Sequence, residues 1–327
     1  MGHHLLPFSP EQYHGKHSSR PYFEGWYYKH VCDKGVFVVI PGLFRGTDSS
    51  KDQAFIQLIV GFPPKSYFLS YPAGEFTCHP RYFELCIGGN CFSIHEINLS
   101  LPEIGLTANL RYSGHVPLRT TLLSPSIMGP FSYLPKMQCN HGILSLWHSV
   151  TGDVCFEGNT LKFDGADGYI EKDWGEEFPS SWIWMQCGSG KDALVCAIAR
   201  IPIKNIRFNG LIAVLNAKGR QLRFATYNGG KVAGISRGDG CLTVELKKGK
   251  LRLCIIARSD SFGNLMAPSK EGMNRVIQES VNCIYDISIC RGTETMYSAH
   301  FENGGLEMLD EKQLLDSKKF KDAVFGP

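Results

Sequence analysis

Along most of the chain, apolar and polar residues alternate with the period of a half-buried strand rather than that of a helix. The clearest case is residues 242–256. There Leu242, Val244 and Leu246 alternate with Thr243, Glu245 and Lys247, and Leu251, Leu253 and Ile255 carry the apolar face onward. That pattern predicts an antiparallel hairpin with one wet face. Similar runs recur as GVFVVI, AFIQLIVGF, SYFLSY, RYFELCI, CFSIHEINL and LTANLRY between residues 35 and 112, with turn residues between them. Gly88–Gly89–Asn90 predicts a tight hairpin turn. Residues 124–135, rich in proline and glycine, predict a loop, and residues 140–163 predict two or three further strands. A hairpin is expected across Ala217–Gly219 and another around Arg291–Gly292. Only the tail, from Leu306 to Phe320, carries helical spacing, with Leu309, Leu314 and Leu315 on one face.

The expected fold is therefore all-β, built from barrels or sandwiches, with a short C-terminal helix. The chain has 327 residues, more than one β-domain usually needs. The expectation is an irregular lead-in at 1–20, a first β-domain at 21–175 and a second at 176–327.

Composition narrows the function. Apolar residues make up 43% and charged residues 20% of the chain, and the net charge is +3. That balance is ordinary for a globular protein and too mild to argue for nucleic acid. No apolar run approaches the ~20 residues of a membrane-spanning helix. The first residues, MGHHLLPFSPEQYHG, lack the basic and apolar regions of a secretory signal, so a cytoplasmic protein is expected. The 12 cysteines form no CxxC pair, and HExxH is absent, so no metal site is expected. Cys155, Cys196, Cys254 and Cys283 read as small buried hydrophobes. The GSGK at Gly188–Lys191 lacks the serine or threonine of a phosphate loop and reads as a hairpin turn.

Two stretches mix acids with aromatics. In YIEKDW, alternation places Tyr169, Glu171 and Asp173 on one face and Ile170, Lys172 and Trp174 on the other. A second strand then aligns Trp182, Trp184 and Gln186. In PYFEGWYYK, Tyr22, Glu24, Trp26 and Tyr28 share a face, with Phe23, Tyr27 and Lys29 opposite. A carboxyl group held among apolar rings, or beside a second carboxyl, holds its proton to higher pH than usual. Indole faces stabilise a cation by about 1–2 kcal/mol each when water is excluded. A plainer reading pairs Lys172 and Lys29 with Asp173 and Glu24 as structural ion pairs, and makes the tryptophans core and His148 a satisfied strand histidine.

The motifs PYFEGWYYK and GYIEKDWGEEFPSSWIWMQC, together with MQCNHGILSLWHSVTG at 137–152 and NRVIQES at 274–280, resemble those of the tocopherol cyclase family. The resemblance covers the chain from about Pro21 to about Glu307. It implies two lipocalin-like β-barrels, related to carotenoid hydratases, and a cofactor-free cyclisation of a prenylated hydroquinone to a chromanol. On that reading Asp173 donates the proton, Tyr169 and Glu171 tune or reload it, and Glu24 or His141 orients the phenol or takes its proton. Trp26, Tyr28, Trp174, Trp182 and Trp184 would wall the substrate, and Gln186 and Asn274 would position its ring. The expected partner is a small hydrophobic prenyl-quinol or terpenoid-like ligand, and no protein partner is expected. A lipid substrate makes peripheral membrane contact an expectation too, although no basic amphipathic helix argues for it. Two rivals stay open: a non-catalytic lipid carrier using the barrel cavity, and a hydratase or isomerase of a terpenoid alkene.

Overall fold

The computed structural model describes residues 9–60, 64–135, 137–203, 206–238, 240–259, 261–310 and 314. Two antiparallel sheets carry them. The first contains β1 (Tyr22–Cys32), β2 (Gly35–Arg45), β3 (Gln53–Val60), β4 (Lys65–Pro72), β5 (Phe76–Cys78), β6 (Glu84–Ile87), β7 (Asn90–Ser93), β8 (Glu96–Leu101), β9 (Leu106–Val116), β10 (Cys139–Phe156) and β11 (Asn159–Gly175). Their order across the sheet is β4-β3-β2-β1-β11-β10-β9-β8-β7-β6-β5. Consecutive strands are neighbours except β4 and β5, which stand at the two ends of this order, and β11 returns to pair with β1. Tyr71 on β4 lies against the Gly88 turn between β6 and β7, so the two ends of the sheet meet.

The second sheet contains β12 (Trp182–Ser189), β13 (Asp192–Ile203), β14 (Ile206–Ala217), β15 (Arg220–Ala225), β16 (Lys231–Gly238), β17 (Cys241–Lys248), β18 (Leu251–Arg258), β20 (Gly272–Arg291) and β21 (Glu294–Leu309), with β19 (Gly263–Ser269) paired to β20. Its order is β15-β14-β13-β12-β21-β20-β18-β17-β16. A Lys248 ammonium on β17 donates to the Arg223 carbonyl of β15 at 3.1 Å, linking strands from opposite ends of the sheet. The fold is thus all-β with two barrel-like antiparallel sheets, as the alternation indicates.

The chain divides into two compact units, Met1–Phe178 with Gly263–Val276, and Pro179–Phe262 with Ile277–Pro327. The cut falls three residues beyond Gly175. Residues 263–276 return to the first unit, which no local pattern announces. Their attachment is an amide clamp: Gln57 Nε2 donates to the Met266 carbonyl at 2.9 Å and Met266 N donates to Gln57 Oε1 at 2.7 Å. The side chain thereby imitates a strand neighbour.

Each unit has its own core. In the first, Trp26, Tyr28, Phe37, Ile56, Leu85, Phe92, Leu110 and Ile170 belong to one packed cluster. In the second, Ile183, Met185, Cys196, Leu215, Leu246, Ile255, Tyr285 and Leu306 do the same. The turns follow the expected chemistry. Gly190 and Lys191 join Ser189 to Asp192 with positive φ at both positions, a two-residue hairpin turn rather than a phosphate loop. Gly88 and Gly89 close β6–β7 in the same way.

Three expectations need correction. Residues 140–163 belong to two long strands, β10 and β11, and the acidic strand is the end of the second. Register shifts along β10 broke its alternation and hid its length. The expected tail helix begins too early: Leu306–Leu309 finish β21, because Leu306 faces the core. Of the remaining tail residues Asp310, an exposed bend, and Leu314, helical and buried, are described, and the others lie outside the described residues. Finally, Cys86 and Cys91 face each other across β6–β7 and form a disulfide. Cys196 and Cys283 are buried as expected, while Cys155 and Cys254 are half-buried.

Candidate active site

Strand β1 has sheet neighbours on both sides, β2 and β11, and most of its residues are buried whichever face they take. Acids on β1 and β11 therefore meet protein on either side of the sheet, and they fall into two separate groups.

The first group lies on the core side. Glu24 and Lys172 form an ion pair with no side-chain exposure at either partner. Glu24 also accepts from His14 N (2.9 Å), Gly15 N (3.0 Å) and the Tyr22 hydroxyl (2.5 Å). Lys172 donates to the Gln12 carbonyl and sits 4.6 Å from the Trp26 ring and 4.8 Å from the Trp174 ring. Trp26 Nε1 donates to the Glu11 carbonyl at 2.9 Å. The lead-in thus lends its backbone to the pair and covers it. Burial holds the Lys172 pKa below its usual range, against the pull of Glu24. His14 is pushed down to about 2 by burial and by the Lys172 charge. Every oxygen of Glu24 is occupied, so this is a structural plug. Tyr28, with its hydroxyl on the Ser93 carbonyl at 3.1 Å, is core as well.

The second group lies on the opposite face. Register pairs His141 with Asp173 across β10–β11 and Tyr27 with Glu171 across β1–β11. His141 Nδ1 lies 2.8 Å from Asp173 Oδ1, and its Nε2 lies 3.4 Å from Glu171 Oε2. The Tyr169 hydroxyl donates to Glu171 Oε2. One imidazole therefore bridges two carboxyl groups, and a phenol feeds the inner one. Exposure rises outward: the side chains of Glu171, His141 and Asp173 are 5%, 12% and 24% exposed. Tyr169 is held well above the usual phenol range by burial and then by the Glu171 charge, so it stays protonated. Cys139, whose Sγ is 3.9 Å from Asp173 Oδ1, is likewise raised by burial and then by Asp173. It is a thiol, not a thiolate nucleophile.

Beside the acids is an apolar strip. Cys139 packs onto a cluster of Phe23, Phe44, Phe55 and Met273, joined by Ile40, Phe68, Phe178 and Met266. Phe23 shares the Asp173 face and meets Phe178 edge-on at 5.1 Å. Gly25, opposite Asp173, pairs onward with Gly42, where a Cβ would lie 2.3 Å from the Phe55 ring. Bare backbone is thus required where the ring crosses.

This arrangement divides the expected site. Tyr169, Glu171, Asp173 and His141 come together. Glu24, Trp26, Tyr28 and Trp174 do not join them; strand alternation sends them to the core, where Lys172 engages Glu24, Trp26 and Trp174. The expected wall of Trp26 and Trp174 around the acids is therefore corrected. Asn274, near the start of β20, is exposed and accepts from Ser269 Oγ at 2.8 Å across the β19–β20 turn. Trp182, Trp184 and Gln186 belong to the second unit, buried on the face opposite its core. There Trp182 Nε1 donates to Glu307 Oε2 at 2.9 Å, and Glu307 stands opposite both Trp184 and Glu279. His148 is buried with Nδ1 3.1 Å from Ser145 Oγ. Sequence reasoning overlooked Cys139, Phe23 and Met273 as neighbours of the acids. The alternation of PYFEGWYYK, which opposes Phe23 to Glu24, held the signal for Phe23.

The ligand atoms of His141, Glu171 and Asp173 all lie within 4.8 Å of one another. One imidazole and two carboxylates fit a hard divalent cation, which would supply Lewis acidity there. The same three groups serve proton transfer without one.

Fold and site define a two-barrel β-protein with a carboxyl–imidazole–carboxyl cluster beside an apolar strip. The chain belongs to the tocopherol cyclase-like family, whose pattern matches residues 120–308, more than half its length. A probable chloroplastic tocopherol cyclase of Oryza sativa subsp. japonica is 40% identical over 52 residues, and that of Zea mays 38% over 52. Each match covers 14% of this chain and 11% of the relative, so the chain spans about a tenth of the length of those relatives. In fold it is similar to CghA solved with Sch210972 (TM-score 0.60, 12% identity, 88% of each chain). It is also similar to a putative AttH of Nitrosomonas europaea (0.56, 12%, 90% of this chain and 98% of that one) and to kievitone hydratase of Nectria haematococca (0.51, 11%, 88% of each). At 11–12% identity the likeness to these solved structures is one of fold. No helix among the described residues is long and apolar enough to cross a membrane.

Proposed function

We propose that this chain cyclises a prenylated hydroquinone to a chromanol by acid catalysis at Asp173. The observation that carries the reading is His141 bridging Glu171 and Asp173 on a face that runs into the Phe23–Met273 cluster. Asp173, the outermost of the three, gives its proton to the less substituted carbon of the tail's first alkene. The tertiary cation that forms is attacked by the ring's phenol oxygen. That oxygen loses its proton to the Asp173 carboxylate, so the acid is regenerated and the product is an isomer of the substrate. His141, holding Glu171 and Asp173 through its two nitrogens, passes protons between them; such a group works near neutral pH. Tyr169 fixes the inner end of the relay. The apolar strip shelters the tail and excludes water that would intercept the cation. Positioned acid catalysis of this kind contributes about 10²–10⁴-fold.

A second reading draws on the likeness to kievitone hydratase. The same acid serves hydration if water replaces the phenol oxygen as nucleophile. A carrier is the third reading; it needs the apolar strip but not the relay.

Incubation with a synthetic prenyl hydroquinone under reducing conditions, followed by chromatography with mass detection, separates the three. Cyclisation gives a product of unchanged mass and altered retention, absent with Asp173→Asn. A product heavier by one water selects the hydratase. Unchanged substrate that co-purifies with the protein selects the carrier.

A further inference from the structure

The connection from β9 to β10 carries an exposed apolar turn. Thr121 and Ser124 exchange backbone hydrogen bonds, N to O at 3.0 Å in both directions, and Ser124 N also donates to Thr121 Oγ1 at 3.1 Å. That is a closed two-residue turn. Its two central positions ordinarily take glycine, asparagine, aspartate or serine. Here they are Leu122 and Leu123, 78% and 81% exposed. Nothing in the turn's backbone asks for leucine.

Two more apolar side chains are brought to the same place. The Tyr133 hydroxyl donates to the Leu122 carbonyl at 2.5 Å, so the short helical turn Gly129–Tyr133 folds back against the leucines. Tyr133 and Leu134 are 50% and 44% exposed. The tip is held from below. Ser126 Oγ lies 2.5 Å from Ser132 Oγ, and Met128 N donates to Ser126 Oγ at 3.0 Å. Pro125 to Gly129 are buried. The root reaches the acid relay: His141 N donates to Met128 Sδ at 3.1 Å. Arg119, exposed, precedes the turn.

We propose that the loop tip Leu122–Leu123, with Tyr133 and Leu134, is a docking element that inserts into the surface of a lipid bilayer. A protein partner fits this tip poorly. A stable protein interface buries about 800 Å² on each side over ~20–30 residues, and four side chains on a narrow projection fall far short of that. A bilayer needs no complementary shape. It accepts a few aliphatic side chains at the acyl boundary, with a tyrosine at headgroup level and an arginine outside it. The rigid root adds a reason for the position. A substrate leaving the bilayer beside Leu122 would emerge next to the segment that touches His141. That last step rests on the prenyl-lipid reading of the site; the docking surface itself does not.

The test is flotation with vesicles of phosphatidylcholine, alone and doped with phosphatidylglycerol. The wild type is expected to float, more so with the anionic lipid, because Arg119 contributes. Leu122→Ser and Leu123→Ser suit the turn and leave the melting temperature unchanged. Each should weaken partitioning about ten-fold, and the double variant about a hundred-fold, the loss expected when a leucine leaves an apolar phase. Wild type that stays with neither vesicle overturns the proposal, as does a double variant that floats like the wild type. Sedimentation velocity covers the remaining occupant: a wild-type dimer made monomeric by the double variant would assign the tip to a second copy and overturn membrane docking. Turnover of a water-soluble short-chain prenyl hydroquinone keeps the two readings apart. If it is absent while flotation holds, the cyclase reading fails and the docking surface stands.

Discussion

Replacing Lys172 with methionine removes one charge from the plug inside the first barrel and leaves the other. Glu24 would keep the His14 and Gly15 amides and the Tyr22 hydroxyl, but lose its only ammonium partner among the described residues. The lysine's contacts with the Gln12 carbonyl and with the Trp26 and Trp174 rings vanish too. Breaking a buried pair from one side costs about 3–5 kcal/mol, because an uncompensated charge is left in a low-dielectric interior. The three remaining donors put Lys172→Met at the low end, about 3 kcal/mol. Removing both charges costs far less, since neither ion must then be stripped of water. The double variant Glu24→Gln, Lys172→Met should therefore recover most of the loss, with a coupling of about 2 kcal/mol or more. Hydrogen exchange at the amides of β1 and β11 reads this locally, with no contribution from the second barrel. A Lys172→Met loss below about 1 kcal/mol, or a double variant no better than the single, would refute the account of the plug. The plug matters to function because Lys172 lies between Glu171 and Asp173 in sequence. Anchoring it inward commits its two neighbours to the other face.

Asp173→Asn should lower kcat/KM for the prenyl hydroquinone by about 10²–10⁴-fold, with little change in melting temperature because the amide oxygen still faces His141. Retained activity would move the donor to Glu171. Chelator-treated protein should turn over at the wild-type rate; a loss restored by one added divalent ion would make the relay a metal site instead. His30 is fully buried, its Nε2 2.7 Å from the Tyr112 hydroxyl, and burial lowers its pKa from 6.5 to about 4. Below pH 6.5 the unfolded chain takes up a proton that the folded one refuses, so stability falls as pH drops from about 6.5 to about 4. At 1.36 kcal/mol per pKa unit this amounts to about 3 kcal/mol. Denaturant titrations of wild type and His30→Phe check it, and equal slopes against pH would contradict the assignment. Gln57→Leu strands the Met266 N–H and C=O and should cost about 2–6 kcal/mol at roughly 1–3 per group, visible as accelerated exchange of the Met266 amide.

The alternation of single strands was legible and carried the fold. It placed Tyr169, Glu171 and Asp173 together and put Lys172 behind them, as the register of β1 and β11 has it. It did not reveal which two strands would be neighbours. Glu24 and Asp173 belong to adjacent strands with one register between them, yet they face opposite sides. Side-chain facing across a strand pair depends on that register, which depends on contacts far apart in the chain. His141 shows the same gap from the other direction. Its strand carries register shifts, so counting along β10 from His148 does not give the residue of β11 that it meets. The return of residues 263–276 to the first barrel uses the Gln57 clamp and the packing of Met266 and Met273, and alternation reads Gln57 only as an isolated polar residue in an apolar run.

The strand β1 explains why acids and rings share one motif. A strand with one wet face can discard its acids into water, and its sequence then reads as simple alternation. β1 is buried on nearly every residue, so neither Glu24 nor its neighbours have that outlet. On the core side the solution is complete neutralisation by Lys172, and the tryptophans there pack against its ammonium. On the other side Asp173 and Glu171 share an imidazole, and Glu171 also accepts from a phenol that keeps its proton. A fixed ammonium and an imidazole are different partners for a carboxyl group. On the proposed reading that difference, not the presence of buried acids as such, separates the structural cluster from the site. It yields a direct comparison: Glu24→Gln should act on stability with activity per folded molecule kept, whereas Glu171→Gln should act on activity with stability kept. If the two variants exchanged those signatures, the assignment of the faces would be reversed.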